Sequence, residues 1–430
     1  MKPTGDVPKI KVGFFLDAIP DVDCSAILEG NPGLGGTKYL FLQIAQLLHI
    51  RNNGIEVVLF TPSHGRFPAG LNVQHVSGFP ACAAQAGRDG LDYLVYWPYG
   101  EGGMVDAAFC HQLPGHVKLI PWCHNFVGPA ELNFWVSQDR FGPIVAVGRE
   151  QMDVYRDHPA FDKGCYIYNC MNFDLPLSYE PQQVPFAQRK HIVTFVGSLT
   201  EGKSFHVLAQ AWPEVLKAVP DAELYVIGAG NLYGAQYHLG PLGIAEASYE
   251  ASIMRHLAPD GKILPSVHFM GVMGMEKFKL LAQTKVGVPN PLGRGETFSL
   301  AVIEMEIMGA RVVGQKCPGY LDTMMDNLFC TQRTLARAIV QLLRSKTAHY
   351  EQVRDYLVAN FSQRPVVERW EALLQQGFLP PNSSLRHPFY KWKWAKEILR
   401  RLKHRYSWAS KLPACIELSA MLKRKLGREQ

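Results

Sequence analysis

A chain of 430 residues with 47% hydrophobic content is too long for one ordinary core, so two domains are expected. It holds no run of about 18 apolar residues, which excludes a membrane-spanning helix, and its nine dispersed cysteines include no Cys-x-x-Cys pair, as expected for reduced, mostly buried thiols in the cytosol and not for a metal site. The net charge of +6 is unevenly placed: residues 379–430 hold 13 Lys+Arg against 3 Asp+Glu, leaving 31 against 35 in 1–378, so a slightly acidic body carries a strongly basic tail.

The opening segment, MKPTGDVPKIKVGFFLDAIP, lacks a secretory pattern, because its apolar patch is short and broken by Asp17. KIKVGFFLD (9–17) reads as a buried strand ending at a polar turn. A glycine-rich loop, EGNPGLGGTKY, leads into helical periodicity that stops at Gly54, and IEVVLFTP (55–62) is the next strand. This strand–loop–helix–strand unit builds doubly wound parallel sheets. Further short strands are expected at 93–98, 117–123, 143–148 and 165–169. Residues 173–190, with three prolines and no period, read as an interdomain linker. The cycle then restarts, with strands at 191–197, 222–230, 267–271, 286–290 and 310–314 and a helix at 205–219. Residues 333–376 read as closing amphipathic helices and GFLPPNSS as a break before the tail. The expectation is an α/β protein of two doubly wound Rossmann-like domains facing a cleft: 1–172, the linker 173–190, 191–376, and a basic amphipathic tail at 377–430. In open sheets of this kind, ligands bind at the carboxyl ends of the strands.

The most informative stretch is NPLGRGETFSLAVIEMEIMGARVVG, 290–314. A strand leaves the sheet, GRGE turns, and a helix starting near Thr297 would offer free N–H groups and a positive dipole end to a diphosphate. Glu296 and Glu304 are eight positions apart, about 12 Å of helical rise. Ionised carboxylates only accept hydrogen bonds, so they suit the hydroxyls flanking a diphosphate, a sugar on one side and a ribose on the other. From the spacing alone, a first-turn acid followed by a solvated helix residue is the commoner explanation.

ETFSLAVIE is similar to the signature of retaining glycosyltransferases of family 4, two glutamates separated by seven residues, which have the GT-B fold. The resemblance extends to HIVTFVGSLTEGKSFHVLAQAWPEVLKAVPDAELYVIGAG, to VHFMGVMGMEKFKLLAQTKVGVPN, to GGTKYLFLQIAQLL and to IYNCMNFD, covering roughly 10–376 in order. It implies that Glu296 contacts the transferred sugar, Glu304 holds the ribose, and Thr297 and Phe298 supply amides to the donor. Lys203 matches the lysine that neutralises the diphosphate, Gly35 and Gly36 the glycines whose backbone approaches the phosphates, and His124 the histidine facing the reacting sugar. Where the family usually has an arginine after the strand-end glycine, Ser198 follows Gly197, and Arg294 is the candidate to compensate.

What the resemblance implies is a retaining transferase that moves a sugar from a nucleoside diphosphate, uridine being the commonest base, to a glycan or lipid-linked saccharide such as a lipopolysaccharide or exopolysaccharide precursor. No cofactor and no obligatory metal are expected, and Asp21-Val-Asp23 sits in a proline-flanked loop of the wrong domain for one. The reaction would be a front-face displacement through an oxocarbenium-like state. The rivals are a nucleotide-sugar epimerase of the same fold, which needs acid/base groups beyond His124, and a noncatalytic sugar-nucleotide-binding protein, which the missing arginine favours. The tail places Trp394, Ile398 and Leu402 at four-residue steps among Lys391, Lys393, Lys396, Arg400, Arg401, Lys403 and Arg405. A basic, aromatic-bearing helix of this kind fits an anionic membrane surface better than nucleic acid, so a cytoplasmic protein peripheral to the inner face of the membrane is expected.

Overall fold

The computed structural model describes residues 9–100, 105–230, 238–325 and 327–426. The last four residues of the basic tail and the first eight of the chain lie outside them. Two compact units are present, each built on a parallel sheet.

The first unit carries β1 (Ile10–Phe15), β2 (Ile55–Thr61), β3 (Asn72–His75), β4 (Tyr93–Tyr96), β5 (Lys118–Cys123), β6 (Ile144–Ala146) and β7 (Gly164–Tyr166), in the order β3-β2-β1-β4-β5-β6-β7. The second carries β8 (Ile192–Val196), β9 (Glu223–Ile227), β10 (Val267–Gly271), β11 (Val286–Gly287), β12 (Arg311–Gln315) and β13 (Asn327–Cys330), in the order β10-β9-β8-β11-β12-β13. Every named strand pair is parallel. Parallel sheets are covered on both faces, which is why β1, β2, β5 and β8 read as near-continuous apolar runs. The order reverses between β1 and β4 in the first unit and between β8 and β11 in the second. These are the switch points at which loops diverge and open sheets bind ligands. The α/β class and the doubly wound, GT-B-type pair of sheets are as expected from the sequence.

Two strands escaped the sequence reading, β3 (NVQH) and β13 (NLFC). Both are four-residue edge strands, too short to show an alternating or continuous apolar pattern. The expected strand at 286–290 keeps only two residues in the sheet, because Pro289 has no N–H to give to a ladder.

The units do not follow the sequence boundaries. The stretch 173–190 is no free linker: it clusters with Cys170–Ser362, and its buried Arg189 donates to the carbonyls of Thr284 (2.7 Å) and Met308 (2.9 Å). Glu29–Gly35 also cluster with the second unit. Conversely Gln363–Gln430 belong to the first unit. The closing helices expected over 333–376 include Tyr350–Phe361 and Gln363–Gln376, parted at Ser362. The second of them places Trp370 against Phe14 and Trp122, with ring centroids 6.0 and 4.9 Å apart, and Glu371 against Arg51 at 2.7 Å. Burying an indole of this size outweighs the pull of its neighbours in sequence.

The tail is ordered on the first unit as well, as helices Lys393–Arg405 and Cys415–Lys425. Its lysines do not all point to solvent. Lys393 donates to Glu150 (2.7 Å) and Asp153 (3.1 Å), and Lys396 donates to the carbonyl of Val154 (2.7 Å). Arg400 pairs with Asp162 at 2.9 Å and with Glu397 at 3.2 Å. Arg156, fully buried, bridges Asp153 (2.6 Å) and Glu397 (3.0 Å). Burial alone would raise the Glu397 carboxyl, but hydrogen bonds from Arg400, Arg401 and Arg156 bring it down to about 2.

All nine cysteines are unbonded, seven of them buried, and burial pushes the Cys165 and Cys170 thiols up to about 12. No helix among the described residues is long and apolar enough to cross a membrane.

Candidate active site

Two lysine–glutamate pairs form among the segments that connect the second unit's strands. Lys203 closes a single 3-10 turn after β8, and Glu296 lies in the loop between β11 and the helix that follows it. Since β8 and β11 are the neighbours at which strand order reverses, the two residues flank the switch point. Lys203 Nζ donates to Glu296 Oε1 at 2.6 Å. The glutamate side chain is 7% exposed and the lysine 35%, so the carboxylate is enclosed while its cation reaches out. Asn290 Nδ2 donates to the same Oε1 at 3.0 Å. The Asn290 backbone is clamped in turn by the fully buried Tyr320, whose hydroxyl accepts from Asn290 N and donates to Asn290 O, both at 2.9 Å.

The loop that carries Glu296 owes its shape to Gly293 and Gly295, both at positive φ (58° and 69°). Gly319 packs on its far side. A Cβ there would lie 2.9 Å from the Glu296 carbonyl oxygen, and Gly319 N donates to that oxygen at 3.0 Å. The glutamate is therefore held by its backbone as well as its side chain.

The helix that follows spans Leu300–Ile307, with Ser299 as N-cap accepting from Val302 N. It begins three residues later than expected. Thr297 and Phe298 precede it, and both are buried. Glu304 lies on this helix and accepts from Lys277 Nζ at 2.6 Å, with both side chains 16% exposed. Lys277 opens the Lys277–Leu281 helix after β10. Each of the two glutamates thus has its own lysine. Lys277 and Asn290 were not singled out in the sequence, although both lie in quoted stretches. The available signals were a lysine at the first position of a helix after a strand, and an asparagine flanked by two prolines where β11 leaves its sheet.

Ser198 is buried and hydrogen-bonds Thr200 Oγ1 at 3.2 Å, so no cation stands at that position, while Arg294 is exposed in the glycine loop. A cavity of about 580 Å³ abuts the Lys203 loop, lined by Thr200, Glu201, Gly202, His206, Ser248 and Tyr249 among others. Neither glutamate lines it, so it adjoins the charged cluster and does not contain it. Among the described residues no group of three or more His, Cys, Asp or Glu is placed to hold a metal.

The remaining sequence candidates are carried by other segments of the chain. Gly35 is half-buried and clusters with the second unit. Gly36 is exposed and opens the Gly36–Arg51 helix of the first, and a Cβ there would meet nothing within 4 Å. His124 follows β5 in the first unit, packed on Trp122 (4.6 Å) and Phe41 (5.7 Å). Burial lowers its imidazole from 6.5 to about 3, so the ring is neutral at physiological pH. The unfolded chain binds this proton first as pH falls, so the folded state loses stability below pH 6.5 down towards 3. The expected result is a melting temperature that declines below pH 6.5, with a shallower decline between 6.5 and 5 in His124→Gln. Equal slopes in the two proteins would show that the ring is readily protonated where it stands.

Residues 190–345, about a third of the chain, match the family model described as Glycosyl transferases group 1. No curated protein matches the chain in sequence. Among solved structures, the fold is similar to that of a glycosyltransferase from Rickettsia africae ESF-5 (12% identity, TM-score 0.61, covering 86% of this chain and 99% of that one). It is also similar to Anabaena Alr3699/HepE in complex with UDP and glucose (16% identity, TM-score 0.60, covering 85% and 100%). A third is WaaG, a glycosyltransferase involved in lipopolysaccharide biosynthesis (12% identity, TM-score 0.55, covering 84% and 99%). The matched segment holds Lys203, Lys277, Asn290, Glu296 and Glu304, and together with the shared fold it supports a GT-B glycosyltransferase.

Proposed function

We propose that the chain is a retaining glycosyltransferase of family 4 that transfers a sugar from a nucleoside-diphosphate donor, with uridine as the base, to a glycan or lipid-linked saccharide. The observation that carries this reading is the Lys203–Glu296 pair at the switch point of the second sheet. An enclosed carboxylate with a partly exposed lysine is a site where an incoming diphosphate can draw the cation towards itself. The ammonium then stabilises the departing nucleoside diphosphate, whose negative charge grows as the glycosidic bond breaks. Glu296, still fixed by Asn290, is released to accept from hydroxyls of the transferred sugar. Thr297 and Phe298 contribute backbone amides to the donor, Glu304 accepts from the ribose, and Arg294 supplies the second cation that Ser198 does not. Gly35, Gly36 and His124 complete the set, the neutral imidazole hydrogen-bonding the reacting sugar. The departing phosphate oxygen takes the acceptor's proton, and positioning of both substrates supplies much of the rate.

A thermal-shift screen against nucleoside diphosphates and their sugars tests the reading, since selective binding stabilises the fold. A shift with UDP and UDP-sugars is expected; no shift with any nucleoside diphosphate would refute it. Glu304→Gln is expected to weaken UDP binding about tenfold by calorimetry, roughly 1.4 kcal/mol, with little change in melting temperature. Unchanged affinity would take Glu304 out of the ribose site. Transfer is expected to survive EDTA, and loss of activity restored by added Mg²⁺ would show that a metal shares the phosphate charge.

Ser198 is the one observation favouring a noncatalytic sugar-nucleotide-binding protein. Binding of a UDP-sugar with no UDP release in the presence or absence of acceptors would establish that alternative.

A further inference from the structure

The helix Lys393–Arg405 is built with its charges inward. Lys393, Lys396, Glu397 and Arg400 face Glu150, Val154, Arg156 and Asp162 of the body. At the opposite positions stand Trp394, Ile398, Arg401 and Arg405, all exposed. Trp392, at 70% exposure, precedes the helix, and Trp408, at 62%, follows it. The Cys415–Lys425 helix adds exposed Leu418 and Leu422. Half of the exposed large hydrophobic side chains among the described residues fall between 389 and 426, far above that segment's share of the chain. Isolated apolar residues on a surface need no explanation, but a concentration of this kind marks a contact face.

Charge selects the occupant. The exposed ions of this segment are Lys391, Arg401, Arg405, Lys411 and the Lys423–Lys425 run, all cationic. Its two acids are turned to protein: Glu397 accepts from Arg156, Arg400 and Arg401, and Glu417 accepts from Asn133 Nδ2 and Ala414 N. A protein partner would ordinarily meet both signs of charge, whereas a headgroup layer presents one. Tryptophans with aliphatic neighbours and a rim of cations are the composition that lodges at the boundary of headgroups and acyl chains.

We infer that the outward face of the two C-terminal helices, with Trp392, Trp394, Ile398, Trp408, Leu418 and Leu422 at its centre, docks on an anionic lipid bilayer. Lys393 and Lys396 do not carry this contact; they hold the helix on the body so that its aromatic face is turned out. The inference gives the proposed transferase a membrane-side acceptor and rests on that reading only for its purpose, since the binding itself needs neither donor nor acceptor.

The test is co-flotation of the full chain with vesicles of phosphatidylcholine alone or mixed with phosphatidylglycerol. The full chain is expected to float with the anionic vesicles, to release as salt is raised, and to remain unbound with phosphatidylcholine alone. The triple variant W392A/I398A/W408A is expected to bind at least about tenfold more weakly while melting at the same temperature. R405E/K411E, which changes no apolar group, is expected to weaken binding to anionic vesicles by a similar factor. Failure of the full chain to bind, equal binding to both vesicle types, or equal binding of the triple variant would each overturn the inference. So would a chain that is dimeric by ultracentrifugation, binds no vesicles and becomes monomeric in the triple variant, because a second copy would then cover the face. None of these results bears on UDP binding, so the donor reading stands or falls separately.

Discussion

Glu296→Gln is expected to lower the turnover number of sugar transfer by roughly 10²–10³-fold while leaving donor KM within about threefold, because the interaction it removes strengthens as charge develops. The substitution is nearly isosteric. The amide oxygen can still accept from Asn290 Nδ2 and Lys203 Nζ, which now reach Oε1 at 3.0 and 2.6 Å. What disappears is the negative charge beside the reacting sugar, and with it the counter-charge that places Lys203 before the donor arrives. The melting temperature should change little, since the lysine is about one-third exposed and solvent screens much of the pair. Release of UDP from a UDP-sugar with acceptor present reads the rate, and circular dichroism confirms the fold. Full turnover in the variant would remove Glu296 from the chemistry.

Arg156→Ala is expected to be the most destabilising single change in the C-terminal attachment, by about 3 kcal/mol or more. The guanidinium has no exposure, stacks 4.7 Å above Phe161, and satisfies Asp153, Glu397 and the carbonyl of Asn382 together. Its removal leaves two enclosed carboxylates short of a cation, and that penalty exceeds the loss of any one hydrogen bond. Denaturant unfolding should show a lower midpoint for the first unit, and limited proteolysis should cut between 379 and 400 in the variant and not in the wild type. Because Glu397 sits near 2 when folded against 4.5 unfolded, its contribution is present above pH 4.5 and is lost as pH falls from there towards 2. The wild type and Arg156→Ala should therefore converge in stability at strongly acid pH. A variant as stable as wild type at pH 7 would show that the network contributes orientation and not stability.

Much of the architecture was legible because parallel strands are buried on both faces and announce themselves as apolar runs. The strand–glycine loop–helix grammar at 9–54 and at 191–219 was enough to place both sheets. Edge strands β3 and β13 carry no such signature. Chain order misled where tertiary burial decides: Trp370 follows the second unit in sequence but fills a place between Phe14 and Trp122 of the first. The lysines along 391–403 look alike in sequence, and only the segment 150–162, far away in sequence, turns Lys393 onto Glu150 and Lys396 onto the carbonyl of Val154. At the candidate site Glu296, Glu304 and Lys203 were readable from local pattern and resemblance. Lys277 and Asn290 were not, because their roles depend on partners 27 and 6 residues away across loops whose shape periodicity does not encode.

The most direct test is a crystal structure of the chain soaked with UDP. The diphosphate should lie within hydrogen-bonding reach of Lys203 Nζ, with that lysine drawn from Glu296 and a ribose hydroxyl donating to Glu304. Clear density for the nucleotide at any other place, with Lys203 still seated on Glu296, would contradict the account.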